Sequence, residues 1–242
     1  MTPARKRQGP APAAAPPSVK RDLLTEPVEN YLKVIYELEL HGSAAATNDI
    51  AARLSIAPPS VSGMVRRLAE QGLLFHEPYR GVRLTTAGRR AALGTIRRHR
   101  DIETYLARVL GYPWDRVHAE AERLEHAASE ELVDRMAAAL GEPARDPHGA
   151  PIPTREGAVD ETLHRSLSEV PAGETARIAS VRNDDDHMLR YLAELGLRPG
   201  VVVIIQERAP FDGPVLMTVD GVRQTVGAKV LANIGVEGFA AP

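Results

Sequence analysis

The hydrophobic pattern of this chain changes its period once, and the change falls on a segment rich in Pro and Gly, residues 144–166. Before that segment, apolar residues recur mostly at intervals of three and four, which is typical of amphipathic helices. After it, from about Leu167, runs such as VVVIIQE and VLMTVD alternate with turn sequences such as PFDGP and DG, which is typical of strands and hairpins. The sequence therefore predicts a helical region, a linker at residues 144–166 and a small β domain at residues 167–240.

Composition excludes several classes of site. The 242 residues include no Cys, which excludes disulfides, thiolate metal sites and cysteine nucleophiles, so any metal must be held by nitrogen and oxygen. No apolar stretch approaches the roughly 18–20 residues of a membrane span, so no membrane partner is expected. Residues 1–22 are rich in Pro and Ala and lack the apolar core of a signal peptide, which predicts a disordered tail on a cytoplasmic protein.

Charge is distributed unevenly between two consecutive segments. Residues 53–100 contain ten Arg against Glu70 and Glu77, whereas residues 101–146 contain eleven acidic residues against five Arg. The first segment suits a polyanion such as DNA, and the second suits cations. Charged helix faces that only keep a protein in solution would be expected to mix the two signs.

Two short helices joined by a tight turn are predicted within the basic segment. A first amphipathic helix covers residues 28–40, a second begins near Thr47, and a third covers residues 59–71. Residues 55–58 form the turn between the last two, because Pro is tolerated only at the start of a helix. This arrangement predicts a helix-turn-helix.

A hairpin follows the helix-turn-helix. The sequence LLFHEPYRGVRLTT predicts two strands around a turn that carries Arg80 at its tip, so residues 23–92 are expected to form a winged helix-turn-helix. Small polar residues at the start of the third helix would let its backbone approach the major groove, while arginines reach phosphates or guanine edges. The predicted DNA contacts are Pro59, Ser60, Ser62, Gly63, Arg66, Arg67 and Arg80.

The acidic segment predicts two long helices that carry metal ligands. One covers Thr86 to Leu110, and the other covers about Asp115 to Leu140 with one apolar stripe. On a continuous second helix, four His and Glu side chains fall within an arc of roughly 100°, and two more lie four residues apart on the first helix. The six donors are His118, Glu122, Glu125, His126, His99 and Glu103. Carboxylates and imidazoles without sulfur favour Mn²⁺, with Fe²⁺ as the alternative.

Several motifs, taken in order, resemble one known family. YLKVIYELE, the helix-turn-helix, RRHRDIE, VHAEAERLEHAASEE and DPHGAPIP together resemble the diphtheria toxin repressor / manganese transport regulator family of metal-dependent repressors, over residues 23 to about 153. The resemblance implies a regulatory metal site at Asn30, Glu122, Glu125 and His126, and an ancillary site at His99, Glu103 and His118. The chain departs from the family at Asn30, where relatives have Met or Asp, and at Lys33, where one manganese branch has Glu.

The resemblance also implies an architecture and a function. The expected fold class is mainly α with a small β domain: a winged helix-turn-helix, a helical dimerisation and metal-binding domain at residues 93–143, and an SH3-like β-barrel related to ferrous-transport accessory proteins. The expected function is that of a homodimeric, Mn²⁺- or Fe²⁺-dependent regulator. It would bind a pseudo-palindromic operator in double-stranded DNA and repress metal-uptake genes.

Two other classes of function stay open at this point. A metal-independent winged-helix regulator that senses a small organic ligand would explain the Arg-rich segment but not the six donors. A metallohydrolase would explain the donors but not the wing. The sequence lacks H-E-x-x-H, H-x-x-E-H and a nucleophile elbow, so no enzyme is expected.

Overall fold

The computed structural model describes residues 24–40, 44–77, 81–182 and 185–240. The chain divides into two compact units, Met1–Ala91 and Ala92–Pro242. The predicted tail at residues 1–22 and the predicted wing-tip residue Arg80 lie outside the described residues. Among the described residues, no helix combines the length and the apolar character needed to cross a membrane.

The first unit begins with helices whose apolar faces are buried. Its described residues contain α1 (Glu26–Glu39), α2 (Thr47–Arg53), α3 (Pro58–Glu70), β1 (Leu74–Glu77) and β2 (Gly81–Leu84), followed by the start of α4 (Thr86–Arg108). Ile35 of α1, Ile50 of α2 and Leu68 of α3 are fully buried. The helix-turn-helix and the hairpin predicted from the sequence are therefore present.

The turn between α2 and α3 depends on one residue in the left-handed region. Ser55 has a φ of 54°, and the amide of Ile56 donates to the carbonyl of Ala51 at 3.0 Å, which closes α2. Pro58 then begins α3, where its missing amide removes no helical hydrogen bond. The short turn thus fixes where the exposed face of α3 begins.

The hairpin is tied to the helices on both sides. β1 and β2 pair antiparallel, and the amide of Leu84 donates to Oε1 of Glu39 on α1 at 3.0 Å. The hydroxyl of Thr85 donates to the carbonyl of Gly72 and accepts from the amide of Gly88, so the same side chain caps the start of α4. These bonds hold the hairpin beside α3.

The second unit contains the rest of α4, then α5 (Val117–Leu124) and α6 (Glu130–Ala139). The prediction of one continuous helix from Asp115 to Leu140 is wrong, because the chain leaves the helix at residues 125–129 and begins a new one. Ser129 caps α6 by accepting a hydrogen bond from the amide of Leu132 at 3.2 Å. Two Glu in the first turn stabilise α6 further, because their negative charge lies at the positive end of the helix dipole.

The break changes which apolar residues are buried. Leu124 and Leu132, which belong to the predicted stripe, are 39% and 45% exposed. Ala128, also of the predicted stripe, is buried, and Val133, outside the stripe, is buried beside it in a core that includes Ile102 of α4. The helical period is interrupted between Leu124 and Ala128, so a single stripe cannot describe both helices.

The described C-terminal part is a six-stranded antiparallel sheet in the order β3-β8-β4-β5-β6-β7. The strands are β3 (Arg165–Ser166), β4 (Thr175–Val181), β5 (Val202–Arg208), β6 (Val215–Val219), β7 (Val222–Val226) and β8 (Ile234–Ala240), with α7 (Asp186–Glu194) after β4 and α8 (Ala228–Leu231) before β8. Leu192 of α7 packs into its core with Ile205 and Met217. The expected fold class, mainly α with a small β domain, is confirmed.

Part of the segment predicted as a linker packs against this sheet. The carbonyl of His148 accepts from the amide of Val181 on β4 at 2.8 Å, and the buried carboxylate of Asp146 accepts from the amide of His148 at 2.8 Å. A Cβ at Gly149 would lie 2.1 Å from the carbonyl oxygen of Ala179, so no larger residue fits. This close approach fixes the position of His148.

Two glycines of α4 make a matched pair for testing the packing of the first unit. A Cβ at Gly88 would lie 2.0 Å from the carbonyl oxygen of Leu73, so Gly88→Ala is expected to lower the free energy of unfolding by about 1–3 kcal/mol. At Gly94 the nearest atom would be 3.9 Å away, so Gly94→Ala is expected to raise it by up to about 1 kcal/mol. Urea unfolding of both variants measures the difference, and equal effects would contradict this packing.

Candidate metal centre

One turn of α4 and the first turn of α5 bring three donors together. His99 and Glu103 lie four residues apart on the buried face of α4, and His118 faces them from α5. Oε1 of Glu103 lies 3.1 Å from Nε2 of His99 and 3.0 Å from Nδ1 of His118. The two ring nitrogens are 3.0 Å apart, so the three atoms form a nearly equilateral triangle.

Hydrogen bonds alone cannot satisfy this triangle. Each of the two facing nitrogens can carry one proton. If both nitrogens donate their protons to the carboxylate oxygen, no proton is left for a hydrogen bond between the nitrogens themselves. A divalent cation bound by all three atoms would satisfy every side. The three atoms are 3.0–3.1 Å apart, so one divalent ion could contact all of them.

A second cluster lies where α5 ends. Glu122 is on the last turn of α5, and Glu125 and His126 follow in the break before α6. Ligand atoms of these three side chains all lie within 4.8 Å of one another. Glu125 is fully buried, whereas the side chain of Glu122 is 38% exposed. Glu125 has helical φ and ψ of −58° and −32°, so the three donors are neighbours at i, i+3 and i+4 at the end of α5.

His99 connects the two clusters. Its Nε2 faces Glu103, while its Nδ1 contacts Oε2 of Glu125 and lies 4.0 Å from Oε1 of Glu122. Ligand atoms of His99, His118 and Glu122 also lie within 4.8 Å of one another. The two sets of donors predicted from the sequence are therefore contiguous.

A third cluster was missed by the sequence prediction. Glu103, Asp146 and His148 place ligand atoms within 4.8 Å of one another, and all three residues are buried. The signal was present in the motif DPHGAPIP, which sets Asp and His two residues apart. The Pro and Gly of the same segment favoured a linker instead.

Trp114 orients His148 for this cluster. Nε2 of His148 lies 3.1 Å from the carbonyl oxygen of Trp114, which can only accept, so Nε2 carries a proton and Nδ1 faces Glu103 at 3.9 Å. The indole Nε1 of Trp114 donates to the carbonyl of Pro147 at 2.9 Å. The centroids of the indole ring and the imidazole ring of His148 are 4.8 Å apart. The other ring nitrogen of His148, Nδ1, is thereby directed at the carboxylate of Glu103.

The charges at the third cluster depend on one another. Burial opposes the ionisation of Glu103, but the charge of His99 and the hydrogen bonds from His118 and His148 hold the pKa of Glu103 well below its usual range. Burial favours the neutral form of His148, but the carboxylates of Glu103 and Asp146 raise the pKa of His148. Burial and the charge of Glu103 raise the pKa of Asp146. Negative charge is therefore concentrated on Glu103, where three imidazoles converge.

One predicted ligand belongs to the other unit. Asn30 lies on α1 and is half-buried there. Its participation in metal binding stays a prediction.

The predicted DNA contacts lie along the exposed face of α3. Val61, Val65 and Leu68 are buried, whereas a Cβ at Gly63 would meet no atom within 4 Å. Small residues occupy the first turns of this face, and two arginines follow. The exposed residues among the predicted contacts are Pro59, Ser60, Ser62, Gly63, Arg66 and Arg67.

Comparison with known proteins gives matches along most of the chain. The family model for the iron dependent repressor N-terminal DNA binding domain matches residues 23–82, the model for the iron dependent repressor metal binding and dimerisation domain matches residues 85–154, and the FeoA domain model matches residues 165–238. The chain is 36% identical over 197 residues to the iron-dependent repressor IdeR of Mycobacterium tuberculosis, which covers 76% of this chain and 85% of that protein.

Two further relatives agree with these matches. The diphtheria toxin repressor of Corynebacterium efficiens is 34% identical over 212 residues, covering 82% of this chain and 89% of that protein. A solved structure described as a manganese-dependent transcriptional repressor in complex with manganese is 39% identical with a TM-score of 0.79, covering 86% of this chain and 98% of that chain. The resemblance found in the sequence is confirmed, and the chain belongs to the iron-dependent repressor family of metal-dependent transcriptional repressors.

Proposed function

We propose that this chain is a homodimeric, Mn²⁺-dependent repressor that binds double-stranded DNA when metal is bound, with Fe²⁺ as the alternative activating ion. The observation that carries the proposal is the convergence of carboxylate and imidazole donors from α4 and α5, above all the triangle at Glu103. As a member of a family of transcriptional repressors the chain is not an enzyme, which removes the metallohydrolase alternative.

The choice of Mn²⁺ rests on the chemistry of the donors. Hard oxygen and borderline nitrogen ligands suit Mn²⁺ and Fe²⁺, whereas Cu(I) and structural Zn²⁺ sites commonly use the thiolates that this sequence lacks. Intrinsic affinity would still rank Zn²⁺ above Mn²⁺, so coordination geometry and metal availability must select the ion.

We assign the regulatory ion to Glu122, Glu125 and His126. We assign a second ion to His99, Glu103 and His118, with Asp146 and His148 available to it. A bound ion would add positive charge beside these carboxylates. Glu125 is fully buried and in contact with His99, whereas the side chain of Glu122 is 38% exposed and can be reached from solvent.

We propose that the exposed face of α3 is the surface that contacts DNA. Its small residues would let the backbone enter the major groove, and Arg66 and Arg67 would contact phosphates or guanine edges. A two-fold dimer would present two copies of α3 to a pseudo-palindromic operator. We propose that the regulated genes encode metal uptake and that the protein acts in the cytoplasm.

His126→Ala is expected to raise the Mn²⁺ concentration needed for half-maximal DNA binding by about tenfold or more, because a ligand of the regulatory ion is lost. Glu120→Gln is the matched control, since Glu120 lies on α5 but pairs with Arg123 at 2.8 Å. DNA selected from a random pool by the wild-type protein would be titrated by fluorescence anisotropy. Wild-type binding that is insensitive to a chelator would favour the metal-independent alternative.

Glu122→Cys is expected to shift the preference among activating ions from Mn²⁺ toward Fe²⁺ or softer ions, because a thiolate replaces a hard carboxylate oxygen. Glu122→Asp keeps the carboxylate and serves as the control. Competition between Mn²⁺, Fe²⁺ and Zn²⁺ in the same DNA-binding titration measures the order in which the protein prefers these ions. An unchanged order in the Cys variant would contradict the assignment of Glu122 as a ligand.

Arg66→Ala is expected to weaken DNA binding and, if Arg66 contacts a phosphate, to reduce the slope of log affinity against log salt by about one. Arg135→Ala is the control, because Arg135 is exposed on α6 and pairs with Glu131 at 2.8 Å. Anisotropy titrations at several salt concentrations with saturating Mn²⁺ give both quantities. The same affinity and slope as wild type for the Arg66 variant would place the DNA surface elsewhere.

A further inference from the structure

We propose that Arg98 is a positioning residue for the cluster of Glu122, Glu125 and His126. It binds no metal itself but holds the break between α5 and α6 in the shape that gathers the ligands. This inference rests on the proposed function, since it concerns metal affinity at the regulatory cluster.

The ligands of this cluster depend on where α5 stops. Glu125 is the residue that ends α5, and Ser129 caps α6, so the chain crosses from one helix to the other in residues 125–129. Glu125 still has helical φ and ψ of −58° and −32°, and the amide of Ala128 still donates to the carbonyl of Leu124 at 2.9 Å. The chain therefore leaves helical geometry just past the ligands, and an interaction that fixes the main chain at this point fixes where the ligands lie.

Arg98 joins both ends of the break from α4. Its Nε donates to the carbonyl of Glu125 at 3.2 Å, and its Nη1 donates to Oε1 of Glu130, the first residue of α6, at 3.0 Å. Its Nη2 donates to the hydroxyl of Thr95 at 3.1 Å, which orients the guanidinium from within its own helix. Arg98 is only 4% exposed. Little water competes with the bonds to Glu125 and Thr95, whereas the side chain of Glu130 is 46% exposed.

The interaction with Glu125 suits a guanidinium in particular. Carbonyl groups at the end of a helix lack partners within the helix and carry the negative end of its dipole, so a cation there is favourable. The planar fork of Arg can donate in two directions at once, whereas the Lys ammonium is a single flexible point charge. His99, the next residue of α4, contacts the carboxylate of Glu125. Adjacent residues of α4 therefore hold the main chain and the side chain of one ligand.

Arg97 supplies a comparison on the same helix. It is also buried, and its two Nη atoms each donate to Oδ1 of Asp134 at 3.0 Å, in the middle of α6. It therefore joins α4 to α6 without holding the main chain of a metal ligand. Replacing either Arg removes an ion pair between a buried guanidinium of α4 and a carboxylate of α6, but only the Arg98 change removes a contact with Glu125.

The test measures Mn²⁺ binding to the full-length protein by the electron paramagnetic resonance signal of free Mn²⁺. A His118→Ala background removes one donor of the second ion, and a His126→Ala background removes one donor of the regulatory cluster. Changes to residues that orient ligands typically cost roughly 10–100-fold in metal affinity. Arg98→Met is therefore expected to weaken binding by that factor in the His118→Ala background and by less than about twofold in the His126→Ala background.

Two further variants keep a general loss of stability apart from the proposed role. Arg98→Lys is expected to recover part of the lost affinity, and Arg97→Met is expected to leave Mn²⁺ affinity at the regulatory cluster within about twofold of its parent while lowering the urea midpoint of the metal-free protein. Arg98→Met with unchanged affinity at the regulatory cluster would overturn the inference, as would equal losses at both clusters. Absence of Mn²⁺ binding to the unaltered regulatory cluster would overturn the proposed function as well, and so separates the two failures.

Discussion

Burial of charge on α4 is the constraint on which the helical part of the second unit depends. The charged or ionisable residues that this helix buries include Arg97, Arg98, His99, Asp101 and Glu103. Charged groups are tolerated at such positions only beside partners of opposite sign or hydrogen-bonding groups. Those partners come from α5, α6 and the segment that precedes β3, so these elements can pack in few arrangements. The requirement that orders this part of the fold also places the metal ligands next to one another.

The uneven charge of the sequence has two separate explanations in the structure. Arg66 and Arg67 are exposed on α3, where they are available to a polyanion. Arg97, Arg98 and Arg100 pair with acidic residues of α6 and of the segment before β3. A count along the sequence cannot distinguish an exposed Arg from one in a buried ion pair. The positive charge available to DNA is therefore smaller than the ten Arg of residues 53–100 suggest.

Features with local signatures were predictable, and features that depend on distant contacts were not. The helix-turn-helix, the hairpin and the small β domain follow from hydrophobic period and turn residues. The break at residues 125–129 contains neither Gly nor Pro, although Ser129 followed by two Glu is an N-cap signal that could have revealed it. The burial of Asp146 and His148 depends on contacts with β4, far along the chain, so the local sequence around them does not predict that they are buried.

Trp114 has a consequence for how such a protein can be observed. It is the single tryptophan of the chain, and its indole lies 4.8 Å from the imidazole of His148. Its emission therefore comes from one place, beside the third cluster, while the regulatory cluster contains no fluorophore of this kind. Trp114 is therefore a built-in fluorescent label for the third cluster. Its emission can distinguish metal binding at that cluster from metal binding at the regulatory cluster without any added dye.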